Sequence, residues 1–391
     1  MAKLTLKQVD VRGRLVLTRV DFNVPLEGRR IVDNSRVVAT LPTLRYLMNR
    51  GSRVVLCSHL GRPQGKPEER YSLRPVAERL ERLLDHNVGF CPDTVGPRAE
   101  EMAARLDPGH VLLVENLRFH PGEEANDEGF ARQLAALGEL YVNDAFGAAH
   151  RAHASIVGVV RYFPLAAAGL LMQSELEYLG RLLHAREHPF ILLLGGAKVS
   201  DKLPLLAHLA SRADRVLIGG AMAFTFLRAL GQSTGDSQVQ EDFVEPTRKL
   251  LAAHPHGHFV LPVDHVLSTH ELVATIPAGG RAMDIGPRTR ELFREAILPA
   301  RMLFWNGPMG VFEEPPLDAG TLAVARAVAD CPGTTVAGGG DSIAALRAAG
   351  LKDALTHVST GGGASLEFLA GDPLPGVEAL TAVSLQEEAP L

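Results

Sequence analysis

The sequence predicts an α/β protein of two doubly wound parallel-sheet domains, joined by a long helix and separated by an interdomain cleft. Three observations carry this. The chain has 391 residues, too many for one ordinary hydrophobic core. Short apolar, β-rich runs alternate with longer amphipathic stretches, the pattern of parallel strands covered on both faces by helices. The runs also end in two different ways, with cations and imidazoles in the first half and with glycines in the second. Ligands of such Rossmann-like sheets bind beyond the carboxyl ends of the strands, so the two endings predict two different ligands.

In chain order, "RLVLTRVDF", "RVVLCSH", "HVLLVENLRF" and "LYVNDAF" read as strands of the first sheet. "FILLLGG", "RVLIGG", "MLFWNGP" and "TTVAGGG" read as strands of the second. Helical patterns such as "LRPVAERLERLL" and "DEGFARQLAALG" lie between them. Segment 164–187, "PLAAAGLLMQSELEYLGRLLHARE", reads as the joining helix, because Leu171, Met172, Leu176, Leu179, Leu182 and Leu183 recur at helical spacing. This sets one domain at 1–170 and the other at 171–371. The tail after Gly371 is acidic, contains proline and is less regular.

The composition is that of a globular protein, with 46% hydrophobic and 22% charged residues and 38 glycines. A net charge of −5 argues against a general nucleic-acid binder. Residues 1–170 carry +3 and the remainder −8, which makes the first half the expected home of an anionic ligand. Cys57, Cys91 and Cys331 are odd in number and far apart, with no CxxC spacing, so neither a disulfide framework nor a zinc site is expected. The opening "MAKLTLKQVDVRGR" has no apolar targeting region, and no run approaches membrane-spanning length. A cytoplasmic setting without a membrane partner is the expectation.

The strand ends of the first half repeat one chemistry. Arg19, Asp21 and Asn23 close "TRVDFNVP", and Arg36 follows in "DNSR". His59 and Arg62 close "CSHLGRP", Arg118 and His120 close "ENLRFH", and His150, Arg151 and His153 close "NDAFGAAHRAHAS". Any one of these alone reads as a solvated loop residue. Four successive ends converging on one rim predict a basic bowl for a small polyanion, with arginine forks suited to phosphate or carboxylate.

The second half ends its runs with "LLLGGAKVSDK", "VLIGGAMAF", "WNGPMGVFEE", "VAGGGDSIAAL" and "VSTGGGASLEFL". Glycines between a strand and a helix start let backbone N–H groups approach phosphates, with the helix dipole assisting. A nucleotide is the expected ligand, and Asp341 is the candidate ligand of its Mg²⁺. The chain uses only 7 Lys against 33 Arg, yet Lys198 and Lys202 fall together in "LLLGGAKVSDKLP". We read them as stacked on one face of a helix start, where like charges repel and the dipole disfavours cations. An anion is expected between them. Neither GxGxxG nor GxxxxGK[ST] occurs at these loops. "GRPQGKP" only imitates the latter, since position 60 is Leu and Pro67 stands where Ser or Thr belongs. "HPHGH" (254–258) reads as an exposed loop rather than a metal site.

Taken together, "RVDFNVP", "SHLGRP", "ENLRFH", "NDAFGAAHRAHAS", "GGAKVSDK", "WNGPMGVFE", "GGGDS" and "STGGGASLEFL" resemble the phosphoglycerate kinase family, in its order and over nearly the whole chain. The resemblance implies reversible phosphoryl transfer from 1,3-bisphosphoglycerate to ADP, giving 3-phosphoglycerate and ATP in glycolysis and gluconeogenesis. It implies Mg²⁺, a hinge-closing monomer, and no nucleic-acid or membrane partner. By motif match, phosphoglycerate would be held by Asp21, Phe22, Asn23, Arg36, His59, Leu60, Gly61, Arg62, Arg118 and Arg151. The nucleotide would be held by Gly195, Ala197, Lys202, Gly219, Gly220, Asn306, Pro308, Glu313 at the ribose, Gly339, Gly340, Asp341 and Ser342, with Asp341 also meeting the metal. Arg36, Lys198 and the backbone N–H groups of Gly361 and Gly362 would cage the phosphoryl group in flight. The chain's end, 372–391, would return to the first domain. In "GGRAMDIGP" this chain has Gly280 and Ala282 where the family often has a Trp and a second Gly. Two other readings fit less well. A dehydrogenase predicts the missing GxGxxG, and a secreted binding protein predicts a targeting segment and a single site.

Overall fold

The computed structural model describes residues 2–383. The chain divides into two compact units. One comprises the residues up to Leu176 together with those from Pro373 on, and the other is Glu177–Asp372.

The first unit is built on a six-stranded sheet whose neighbours, in spatial order, are Val88–Cys91, Val111–Val114, Arg53–Cys57, Leu15–Arg19, Leu140–Asn143 and Ala166–Ala168. Every adjacent pair is parallel. Val54, Val55, Leu56, Leu112 and Leu113 are all buried. Parallel strands sandwiched between helices need apolar side chains on both faces, which is why these runs do not alternate. Helix Ser35–Asn49 delivers Val37, Leu41 and Leu44 to the core, and helix Arg74–Leu84 delivers Val76, Ala77 and Leu80. The central strand, Leu15–Arg19, is flanked by the strands that follow it in opposite directions across the sheet. That is a topological switch point, where the carboxyl edge opens into a crevice.

The second unit carries a second six-stranded parallel sheet, ordered Phe259–Val260, Arg215–Ile218, Phe190–Leu194, Met302–Asn306, Thr334–Gly338 and His357–Val358. Counted in chain order this is 3-2-1-4-5-6, the doubly wound order of dinucleotide-binding sheets. Its switch point lies between Phe190–Leu194 and Met302–Asn306, whose last residues, Leu194 and Asn306, are register partners. An antiparallel sheet of Leu272–Val273, His265–Leu267 and Ala282–Ile285 is an addition that strand–helix alternation does not announce.

Two sequence expectations need correction. The joining helix is shorter than 164–187: it spans Leu170–His184, and Ala166–Ala168 is a strand paired with Tyr141–Asn143. Asp144 sets the helix start, its Oδ1 accepting from the N–H groups of Leu171 at 2.9 Å and Met172 at 3.1 Å. The unit boundary falls inside this helix, after Leu176. Nor do Lys198 and Lys202 stack on a helix. The helix is Leu203–Leu209, Lys202 is the residue before it, and Lys198 lies in irregular backbone. Pro204 explains this, because a helix begun at Lys198 would place its ring against the carbonyl of Ser200.

At the chain's end, helix Pro375–Glu378 leads to Ala382–Val383, which pairs antiparallel with Ala2–Lys3. The remainder of the tail expected on the first domain, from 384, lies outside the described residues. No helix among the described residues is long and apolar enough to cross a membrane.

Candidate functional site

Four strands of the first unit end on one rim. The strand Leu15–Arg19 leads into Asp21, which is nearly buried and whose carboxylate holds Arg36 Nη1 at 3.2 Å. The same Nη1 donates to the Asn23 carbonyl at 3.1 Å. Arg36 is thus steered by the loop that follows strand Leu15–Arg19, yet about a third of its side chain, 32%, stays exposed. Phe22 and Leu60 are core residues, so only their backbones belong to the rim. The Phe22 N–H donates to Ser58 Oγ at 2.9 Å.

The loop His59–Arg62 is fastened from two sides. The Gly61 N–H donates to Asn23 Oδ1 at 2.9 Å, and the Gly61 carbonyl accepts from Arg118 Nη1 at 2.7 Å. Gly61 has φ +62°, and a Cβ there would stand 2.3 Å from the Tyr71 ring, so both conformation and space demand glycine. Asn116 is a residue that the sequence reading missed. Its Oδ1 accepts from the Leu60 and Arg118 N–H groups, and its Nδ2 donates to the Leu60 and Tyr71 carbonyls. The only sequence signal was its place between a strand and the arginine it positions.

The electrostatics show that the cations converge. His59 is buried and its pKa is pushed well below the ordinary range, first by desolvation and then by Arg19, Arg118, Arg151 and Arg36. Desolvation and the same arginines, except Arg36, lower His153 to about 4. Arg62 is exposed and makes no hydrogen bond to a described residue. Arg151 Nε lies 3.2 Å from His150 Nε2. His120 is occupied elsewhere, stacked on Phe130 at 4.3 Å with its Nδ1 accepting from the Gly122 N–H.

In the second unit the strand ends enclose two contiguous cavities. One, of about 410 Å³, is lined by Lys198, Lys202, Asn306, Gly340, Asp341 and Gly362 among others. The next, of about 230 Å³, is lined by Gly220, Phe224, Ala282, Pro308, Phe312 and Glu313 among others. Gly196, Ala197 and Asp341 belong to both walls. Helix Gly340–Ala348 begins at the first cavity, capped by Gly339 at φ +91°. Its unpaired N–H groups and dipole favour an anion there. Lys202, half-buried, is hydrogen-bonded to Asn306 Oδ1. Desolvation lowers its pKa to about 8, against the opposing pull of Asp201 and Asp341. Ser342 is buried and accepts from the Gly307 N–H at 2.6 Å.

The glycines divide into two groups that sequence could not separate. A Cβ on Gly195 would stand 2.2 Å from the Pro308 carbonyl, one on Gly219 2.4 Å from Met309 Sδ, and one on Gly220 2.5 Å from the Gly196 nitrogen. These glycines let the loop after Met302–Asn306 pack on its neighbours. Gly340, Gly362 and Gly363 have nothing within 4 Å of such a Cβ and line the cavity. Gly361 is buried, and its N–H donates to Ser359 Oγ at 3.2 Å. In "HPHGH", His254 stacks on His258 at 4.8 Å. No cluster of three metal-binding side chains occurs among the described residues.

Comparison with known proteins agrees with this architecture. A family model described as phosphoglycerate kinase matches residues 6–372. The chain is 52% identical over 401 residues to the phosphoglycerate kinase of Koribacter versatilis, covering 97% of this chain and 100% of that one. It is 54% identical over 392 residues to that of Moorella thermoacetica, with the same coverage. Among solved structures, the phosphoglycerate kinase of Coxiella burnetii superposes with a TM-score of 0.87 at 36% identity, covering 97% of this chain and 98% of that one. That of Pyrococcus horikoshii gives 0.86 at 36% identity, covering 96% and 98%. A match of this extent in sequence and in fold places the chain in the phosphoglycerate kinase family.

Proposed function

We propose that the two units divide between them the reaction of this glycolytic phosphotransferase, in which a phosphoryl group passes from 1,3-bisphosphoglycerate to ADP. The first unit's rim takes phosphoglycerate and the second unit's cavities take the nucleotide. The observation that carries this division is the contrast between them. Four arginines bear on His59 at the one, and a helix start, Lys202 and open glycines line the other. A carboxylate and phosphate ligand suits arginine forks, and a chain of nucleotide phosphates suits backbone N–H groups.

In the ATP-consuming direction the acceptor is a carboxylate, ionised at neutral pH. No general base is required, so the protein's task is positioning and charge neutralisation. Lys202 follows the nucleotide phosphates, while exposed Lys198 and half-exposed Arg36 have the freedom to meet the moving group. Gly362 and Gly363 line the same cavity, whereas the Gly361 N–H donates to Ser359 Oγ. Glu313, in the wall of the smaller cavity, meets the ribose.

Mg²⁺ fits Asp341, a carboxylate in a helix's first turn shared by both cavity walls. Bound with the nucleotide, the ion would neutralise phosphate charge. We further propose a cytoplasmic monomer that closes on both ligands, since direct transfer needs reacting atoms within about 3–3.5 Å. Three buried free thiols suit a reducing compartment. The division of labour is tested by calorimetry on each binary complex. Arg62→Ala should weaken 3-phosphoglycerate and spare ADP, and Lys202→Ala should do the opposite. The reverse pattern would overturn it. Scattering on free, binary and ternary states tests closure, and an unchanged radius of gyration would end that proposal.

A further inference from the structure

We propose that Arg19, held in place by Ser155 and Glu123, is a positioning residue that fixes His59 as its Nε2–H tautomer. His59 then presents a neutral, directed N–H donor to the anionic end of phosphoglycerate. The proposal rests on reading this rim as the phosphoglycerate site.

Arg19 Nη2 lies 3.0 Å from His59 Nδ1. A guanidinium has five donors and no acceptor, so Nδ1 must supply the lone pair. A neutral imidazole carries one hydrogen, which is therefore on Nε2. Nε2 has no hydrogen-bond partner among the described residues, and is the nitrogen left for a ligand. Protonating Nδ1 would set two donors against each other, beside the charges of Arg118, Arg151 and Arg36.

Arg19 cannot turn away. It is 1% exposed, its Nη1 donates to the Val20 carbonyl, and its Nε donates to Ser155 Oγ at 3.0 Å. The Ser155 hydroxyl spends its own hydrogen on Glu123 Oε1 at 2.6 Å, and the Ser155 N–H donates to Oε2 at 2.9 Å. Glu123 is fully buried, so its carboxylate is the countercharge that lets a buried guanidinium stand. The chain Glu123–Ser155–Arg19–His59 thus orders one ring nitrogen as acceptor and the other as donor. With Nδ1 spent on Arg19, the neutral ring adds one aimed N–H donor and no further charge to a rim already dense in arginine.

Nitrogen-15 correlation spectra of the imidazoles in the free protein test this from pH 6 to 8, with His59 assigned by its loss in His59→Gln. The expected result is a single Nε2–H tautomer that does not titrate. An Nδ1–H tautomer, or titration near the ordinary histidine value, would overturn the proposal. In Ser155→Ala the His59 signals should move toward mixed tautomers. The KM for 3-phosphoglycerate should rise about tenfold, the scale of one hydrogen bond, with kcat and the KM for ADP little changed. Glu123→Gln, which keeps the shape, should shift both readouts the same way. If the spectra are as expected but the 3-phosphoglycerate KM is unmoved in both variants, the tautomer stands and the assignment of this rim falls.

Discussion

Lys202 Nζ donates to Asn306 Oδ1, joining the residue before helix Leu203–Leu209 to the last residue of strand Met302–Asn306. The contact ties a mobile point charge to the switch point of the second sheet. It also shows why this chain, so sparing of lysine, uses one here. Half-buried beside Asn306 and glycine backbone, the ammonium is desolvated enough that its pKa falls to about 8 in spite of Asp201 and Asp341, which a guanidinium's much higher value would not permit.

Nucleotide binding should therefore be linked to protons. Phosphates favour charged Lys202, so ADP binding raises its pKa, and protons should be taken up on binding from about pH 8 upward. Affinity should fall as pH rises through about 8. Calorimetry in buffers of different ionisation enthalpy measures the uptake, and Lys202→Met should abolish it. A buffer-independent enthalpy in the wild type would remove Lys202 from the phosphates. Stability has a definite sign too. With the folded pKa below the unfolded one, the unfolded chain binds more protons between them, so Lys202's contribution to stability should rise with pH across that interval.

Asp341→Asn should leave ADP binding without metal nearly intact and raise the Mg²⁺ concentration for half-maximal activity by an order of magnitude or more, since Mg²⁺ relies on one or two carboxylates. A magnesium titration of initial rates decides the matter. A superimposable curve would move the metal to another residue, with Asp201 in the same cavity wall as the next candidate.

Arg62 and Arg118 are both assigned to phosphoglycerate, but they should fail differently. Arg118 is 5% exposed and holds the Gly61 carbonyl at 2.7 Å. Arg118→Ala should raise the KM for 3-phosphoglycerate and also destabilise the fold by about 1 kcal/mol, the scale of losing one hydrogen bond to a half-buried acceptor. Arg62 is exposed, so Arg62→Ala should raise the same KM at unchanged Tm. Equal Tm losses would mean that Arg62 serves the fold.

The strands legible in the sequence were those buried on both faces, because continuous runs such as Phe190–Leu194 have no other explanation. Those missed in the two parallel sheets, Val88–Cys91, Ala166–Ala168, Phe259–Val260 and His357–Val358, are two to four residues long and lie at the edges of the sheets. An edge strand needs fewer apolar residues, and Ala166–Ala168 has a helix former's composition, so tertiary pairing overrode propensity. The rim arginines were legible because residue type and strand-end position suffice to find them. Glu123, Ser155 and Asn116 were not, since each acts by touching a residue 32 or more positions away, and no local pattern encodes that.

The last prediction separates the two groups of glycines. Both stand in similar strings, "LLLGGAK" and "VAGGGDS", yet space around them differs. A methyl group on Gly195 would press into the Pro308 carbonyl at 2.2 Å and the Gly307 carbonyl at 2.9 Å. Backbone cannot retreat as a side chain can, so Gly195→Ala should destabilise the second unit by about 1–3 kcal/mol, the range for overpacking, and disturb the nucleotide site only as a consequence. Gly340 has open space at the same test and lies in the first turn of helix Gly340–Ala348. Alanine is the better helix former, so Gly340→Ala should leave stability unchanged or raise it by up to about 1 kcal/mol, with Tm held or raised accordingly. Its methyl group would nonetheless stand between the helix start and any phosphate, and the Kd for ADP should rise several-fold. Thermal unfolding and ADP calorimetry on the two variants give four numbers. The expected pattern is low Tm for Gly195→Ala and weak ADP binding at full Tm for Gly340→Ala. Full ADP affinity in a stable Gly340→Ala would mean that the helix start is not where the phosphates bind.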